Sequence, residues 1–209
     1  GHDRDGDGDD CHHHAHRRFG FSLAGFSPTF KLFIAAIFIF GLGTMPISLM
    51  LLKSADLGEI ARTIPLMYLV YNLSFALFAI PFGRLSDRLG DRAVIAGGFF
   101  AAIAAYLLLA LTEEPFVIAT GFVVFGVYSA MTEGVERSLA AKLLPAEAMA
   151  SGQGMLGAAV GLSSLAAGVV GGVIWGAFGP SAAFLYGAAM MGIGLFVFVW
   201  LNGTRRGVY

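Results

Sequence analysis

The sequence predicts an all-α integral membrane protein, a bundle of six helices. Three observations carry that expectation. Hydrophobic residues make up 57% of the 209 and charged residues only 13%, against about 45–50% and about 25% in soluble domains. Six apolar runs are each long enough to cross a bilayer. The basic residues gather on one side of the turns between those runs. A soluble fold of this size cannot hide so much apolar surface, and 29 glycines suit membrane helices.

A spanning helix needs roughly 20 predominantly apolar residues. The runs are Lys31–Leu52, Ile64–Gly83, Ala93–Thr112, Pro115–Val135, Gly152–Phe178 and Ser181–Asn202. They are continuous rather than alternating, which favours helix over strand. In the first, Thr44 and Ser48 share a face, and Pro46 between them is expected to kink the helix. Their hydroxyls either line a cavity or bond the preceding turn.

In the second run, Tyr68 and Asn72 stand four apart beside Tyr71. A mid-membrane amide needs partners, so Asn72 faces a cavity or bonds a neighbouring helix. The third and sixth runs hold few polar groups beyond Tyr106 and Tyr186. The fourth ends in Tyr128, Thr132, Glu133, Glu136 and Arg137. Glu133 precedes Arg137 by four, a favourable ion-pair spacing. Glu133, Glu136 and Arg137 read as inner-rim ion pairs, or Glu133 as a protonatable carboxylate. The fifth carries Gly157 and Gly161, then Gly168, Gly172 and Gly176, at intervals of four within each group. Such a stripe of small residues is expected to pack helices closely, with Gln153, Ser163 and Ser164 as its polar exceptions.

Orientation follows from Lys and Arg. With the start of the first span inside, Arg17, Arg18, Lys31, Arg84, Arg88, Arg92, Arg137, Lys142, Arg205 and Arg206 all lie inside. Lys53 and Arg62 lie outside, and Arg4 sits in the distal tail. Both termini are therefore expected in the cytoplasm. The three spans over Lys31–Thr112 and the three over Pro115–Asn202 start on opposite sides, the pattern of two inverted three-helix repeats. Residues 31–202 form the membrane domain, residues 1–30 a polar cytoplasmic tail or linker, and residues 203–209 a short cytoplasmic tail.

The tail, "GHDRDGDGDDCHHHAHRR", has no apolar periodicity. Cys11, His12, His13, His14 and His16 are a weak metal-binding option, since His-rich tracts capture metals; a solvated linker is the alternative. A calcium loop is rejected, because His14 stands where the bidentate Glu is required. The chain lacks an initiator Met and reads as a piece of something longer.

The turn "GRLSDRLGDR", Gly83 to Arg92, places five charges between two apolar runs. It resembles the Gly-x-x-x-Asp-Arg/Lys-x-Gly-Arg/Lys-Arg/Lys signature of the major facilitator superfamily through Gly83, Asp87, Arg88, Gly90 and Arg92. Asp91 departs from it, standing where that family prefers a basic residue. "TEGVERSLAAKLLPAEAMASGQG", Thr132 to Gly154, resembles the connection between the tenth and eleventh facilitator helices. The resemblance implies the C-terminal six-helix half of a twelve-helix fold, with a second half as partner in the same chain or a separate subunit. It implies that Gly83, Asp87, Arg88, Gly90 and Arg92 form a conformational latch, a carboxylate being stabilised at a helix N-terminus. It also implies that the first, second, fourth and fifth spans line a central cavity, with Thr44, Ser48, Tyr68, Asn72, Tyr128, Thr132 and Glu133 as candidate lining residues.

The implied function is secondary active transport of a small solute or ion by alternating access, in a bacterial cytoplasmic membrane. The alternative is a non-transporting half-size membrane protein acting in assembly or in metal sensing through the tail. An enzyme is not expected: no Ser/His, paired Asp or His/Glu constellation occurs in the spans. No cofactor is implied. A formal net charge of −1 suggests no nucleic-acid partner.

Overall fold

The computed structural model describes residues 26–55 and 60–203, and they form an all-α bundle. Its helices are α1 (Pro28–Gly41), α2 (Ile47–Ala55), α3 (Ile60–Leu89), α4 (Asp91–Leu111), α5 (Pro115–Lys142), α6 (Met149–Phe178) and α7 (Pro180–Gly203). A single 3₁₀ turn, Ala146–Ala148, precedes α6. The tail cluster Cys11, His12, His13, His14 and His16 lies outside the described residues, as do Arg205 and Arg206.

Local chemistry sets the ends. The Ser27 hydroxyl accepts from the Phe30 amide, and Pro28 opens α1 where its missing N–H costs nothing. Gly90 and Gly179 take φ of 89° and 87°, and the chain reverses at each. The long helices overrun their apolar cores: α3 continues through the charged stretch to Leu89, and α5 reaches Lys142. Hydropathy marks only the lipid-facing part of a helix, while backbone hydrogen bonding carries on past it.

Five helices, α3 to α7, are long and apolar enough to cross a membrane. The first apolar run departs from the expected kinked helix. It divides into α1, with 14 residues, and α2, with 9. Leu42 to Pro46 between them is non-helical. Pro46 lacks the N–H that would continue the ladder, and Gly41 and Gly43 weaken the helix just before it.

The core runs through α4, which packs on α5 and α7. Ile95, Phe99, Ala102, Tyr106 and Leu109 of α4 are fully buried with Phe122 of α5 and Phe184 of α7. Phe40 of α1 stacks on Phe99 with ring centroids 3.5 Å apart. By contrast, Leu66, Leu69, Leu73 and Leu77 of α3 and Leu162, Leu165, Val169 and Val173 of α6 are exposed.

Two ion pairs mark the two ends of the bundle. Lys142, closing α5, meets Asp91, opening α4, at 2.7 Å. Lys53 near the end of α2 meets Glu113, in the α4–α5 turn, at 3.5 Å. Asp87 and Glu113 therefore lie at opposite ends of α4.

Candidate functional site

The site begins at the interruption between α1 and α2. Tight turns close part of it: Gly43 N donates to Phe40 O and Thr44 N to Gly41 O, both at 3.0 Å. Met45 is served from elsewhere in the chain. Its amide donates to the Tyr106 hydroxyl of α4 at 2.8 Å, and that hydroxyl donates back to Met45 O at 3.3 Å. The segment also runs hard against α7. A Cβ on Gly43 would lie 2.5 Å from Gly187 O, and one on Gly187 would lie 2.6 Å from the Tyr106 ring. Glycine is required at both by this approach.

Beside the interruption lies a cavity of about 540 Å³. Thr44, Met45, Pro46 and Ile47 form one end of its wall. From there it runs along α5 to Arg137 and along α6 back to Gln153, towards the Lys142 end of the bundle. Neither α4 nor α7 lines it. Phe40, Tyr71, Phe125 and Tyr128 supply aromatic surface, with Phe125 and Tyr128 ring centroids 5.1 Å apart. Thr132, Glu133, Glu136, Arg137, Ser163 and Ser164 supply polar groups.

Of the expected lining residues, Thr44, Tyr128, Thr132 and Glu133 are in the wall. Ser48, Tyr68 and Asn72 are outside it. Ser48 is exposed on α2. Tyr68 is 48% exposed and stacks on Tyr71. The Asn72 amide donates to Tyr68 O of its own helix at 2.7 Å. Tyr71 meets the Ser129 hydroxyl of α5 at 3.1 Å.

The inner-rim pairing takes another form. Among the described residues, the ion pairs within 4 Å are Lys53–Glu113 and Lys142–Asp91. Glu133, Glu136 and Arg137 all line the cavity without closing to that distance. What ties α6 to α5 here is Gln153, whose amide donates to Arg137 O at 2.9 Å.

Comparison with known proteins agrees with this architecture. The family model of the Major Facilitator Superfamily matches residues 32–208. The chain belongs to that superfamily. It is 27% identical over 168 residues to an uncharacterised MFS-type transporter of Methanocaldococcus jannaschii, covering 77% of this chain and 42% of that protein. It is 31% identical over 184 residues to the class B tetracycline resistance protein of Escherichia coli, covering 86% and 45%. The class E protein of Escherichia coli is 28% identical over 177 residues, covering 83% and 43%. The chain spans less than half the length of these curated relatives.

In this facilitator the charged turn has two faces. Asp87, Arg88, Gly90 and Arg92 are exposed, and a Cβ on Gly83 would meet nothing within 4 Å. Asp91 is buried at 5% exposure. Its carboxylate accepts from the Ser86 hydroxyl and from Lys142 Nζ. The residue that departs from the family signature thus fastens the turn to the end of α5. Nothing in the spacing of Asp91 and Lys142, 51 apart, announced that pair.

The glycine stripe of α6 is mostly open within this chain. A Cβ on Gly157, Gly161, Gly172 or Gly176 would meet nothing within 4 Å, while one on Gly168 would sit 3.1 Å from Pro46. Gly157 and Gly161 line the cavity. The close crossings run instead through Gly41 against Ser163, Gly126 against Tyr71, and Gly194 against Phe40. These glycines lie in the α1, α5 and α7 sequences without regular spacing, so periodicity does not pick them out.

Proposed function

We propose that the chain is one six-helix half of a secondary active transporter that moves a small solute by alternating access. A second six-helix half completes the cavity and covers the exposed apolar faces of α3 and α6. The exposed Asp87, Arg88 and Arg92 engage that half as a latch and bias one access state. The Lys142 end, rich in Arg and Lys, is cytoplasmic by the positive-inside rule, in a bacterial cytoplasmic membrane.

The observation that carries this reading is the cavity beside the unwound segment. Transporters build their sites at discontinuous helices. The walls combine four aromatic rings with hydroxyls and the charges of Glu133, Glu136 and Arg137. They suit a planar amphipathic organic solute. Two relatives bear the name of tetracycline resistance, which makes tetracycline the first solute to try.

The test is gradient-driven accumulation in everted vesicles from cells expressing the full product of the gene, with tetracycline and a panel of planar amphipathic solutes. Gly157→Trp fills the cavity from a position with open space around it. Flux of the transported solute is expected to fall by about tenfold or more, equivalent to about 1.4 kcal/mol. Undiminished flux in that variant, or no gradient-dependent flux across the panel, overturns the reading.

A further inference from the structure

We propose that Tyr106 is a positioning residue for the cavity: its hydroxyl holds the unwound segment Leu42–Pro46 in place, so that Thr44, Met45 and Pro46 form one end of the wall. The proposal rests on the transport reading only in calling that wall a solute wall. Its geometry stands apart from it.

Tyr106 touches no cavity space, because α4 contributes no lining residue. It is fully buried, on a helix that supplies core. Yet its hydroxyl serves both backbone groups of one residue in another segment, Met45 N at 2.8 Å and Met45 O at 3.3 Å. The need is local. With α1 ended at Gly41, the Met45 amide has no helical acceptor, and Pro46 brings no amide of its own. An unsatisfied backbone group away from water is strongly disfavoured in a membrane. One phenol meets both requirements because it donates and accepts at once.

The phenol is itself fixed. Its ring stacks on Phe125 at 5.8 Å and meets Phe184 edge-on at 5.5 Å. Gly187 leaves no space for a side chain beneath it. The ring position is thus set by α5 and α7, and the hydroxyl carries that position to the wall. On the far side, Met45 lies against Gly171 of α6. At Met45 the backbone of the wall meets the side chains of the core directly.

The experiment uses the full-length protein, purified and reconstituted, with Cys11, the single cysteine of this sequence, replaced in a Cys11→Ser background. Thr44→Cys reports on that end of the wall and Ser164→Cys on the α6 wall of the same cavity. Each is labelled with a maleimide, with and without Tyr106→Phe. Tyr106→Phe is expected to change the Thr44→Cys labelling rate by about fivefold or more, the shift given by losing a buried hydrogen-bond partner. The Ser164→Cys rate should stay within about twofold, below the scale of one hydrogen bond. Phe184→Leu, which removes one ring contact and keeps the hydroxyl, should move the ratio of the two rates less than Tyr106→Phe does. An unmoved Thr44→Cys rate overturns the proposal, and so does an equal change at both sites or a ratio moved as far by Phe184→Leu. If Tyr106→Phe fails to fold, hydrogen exchange in the wild-type protein decides: a Met45 amide as protected as interior α1 amides supports the proposal, and one exchanging freely overturns it. Labelling and exchange need no solute, so failure here leaves the transport reading standing, and absent flux leaves this proposal standing.

Discussion

The chain leaves its helices in two very different settings, the Gly90 reversal at the bundle's edge and the unwound Leu42–Pro46 at its middle. At the edge, water is near and charge is cheap. Asp91 turns inward to Ser86 and Lys142, while Asp87, Arg88 and Arg92 stay exposed. At the middle Met45 is buried, and its backbone groups need a partner from the protein. The chain there uses a buried phenol and a glycine–glycine contact against α7. The same problem, a helix interrupted, is met by charges in one place and by shape in the other.

The largest effect that tests this difference comes from shape at the middle. Gly187→Val would thrust side-chain atoms against the Tyr106 ring and Gly43 O, all within 2.8 Å of its Cβ. We expect a loss of about 3 kcal/mol, the upper range for overpacking. At the edge, Gly83→Val meets open space and should stay within about 0.5 kcal/mol of wild type. Thermal unfolding in detergent measures both. Equal effects would erase the distinction between the two regions.

The next effect sharpens the edge itself. Asp91 is buried while the Lys142 side chain is 59% exposed, so the two partners are not equivalent. Lys142→Met strands a buried carboxylate and should cost about 2 kcal/mol, less than a fully buried pair because solvent reaches the lysine. Asp91→Asn keeps an acceptor for Ser86 and releases a lysine already in water. It should cost about 1 kcal/mol or less. The double variant should recover part of the Lys142→Met loss. The reverse order of the two single variants would mean that the carboxylate, rather than its neutralisation, is what the turn requires.

Much of this fold was legible because lipid imposes simple rules. Length and hydropathy locate five of six spans, and the charge bias puts Lys142 and Asp87 at one end. The remaining span, the first, misled because its apolar run is continuous across the interruption; hydropathy averages over Gly43 and Pro46 and does not sense a missing hydrogen bond. Four of the seven expected lining residues lie in the cavity wall. Thr44, Tyr128, Thr132 and Glu133 line the cavity, whereas Asn72 looked equally polar and donates to Tyr68 O of its own helix. Tyr106 carried a usable signal. A tyrosine in an otherwise apolar span must find a partner for its hydroxyl. Only folding shows that the partner is Met45, 61 residues away.

The smallest effect on the chain itself is expected at Asp87, and it separates holding the bundle from holding a partner. Among the described residues Asp87 makes no ion pair within 4 Å, and it is exposed. Asp87→Ala should therefore leave unfolding of this chain within about 0.5 kcal/mol of wild type. If Asp87 is part of the proposed latch, the same change in the assembled transporter removes a contact made in one access state only. A bias of that kind shifts the two-state equilibrium, and flux should fall by about tenfold. A stability loss as large as that of Lys142→Met would make Asp87 part of the intrachain clamp, with Asp91. Unchanged flux together with unchanged stability would reduce the exposed charges to anchors at the membrane surface, and the edge would then differ from the middle in solvent alone.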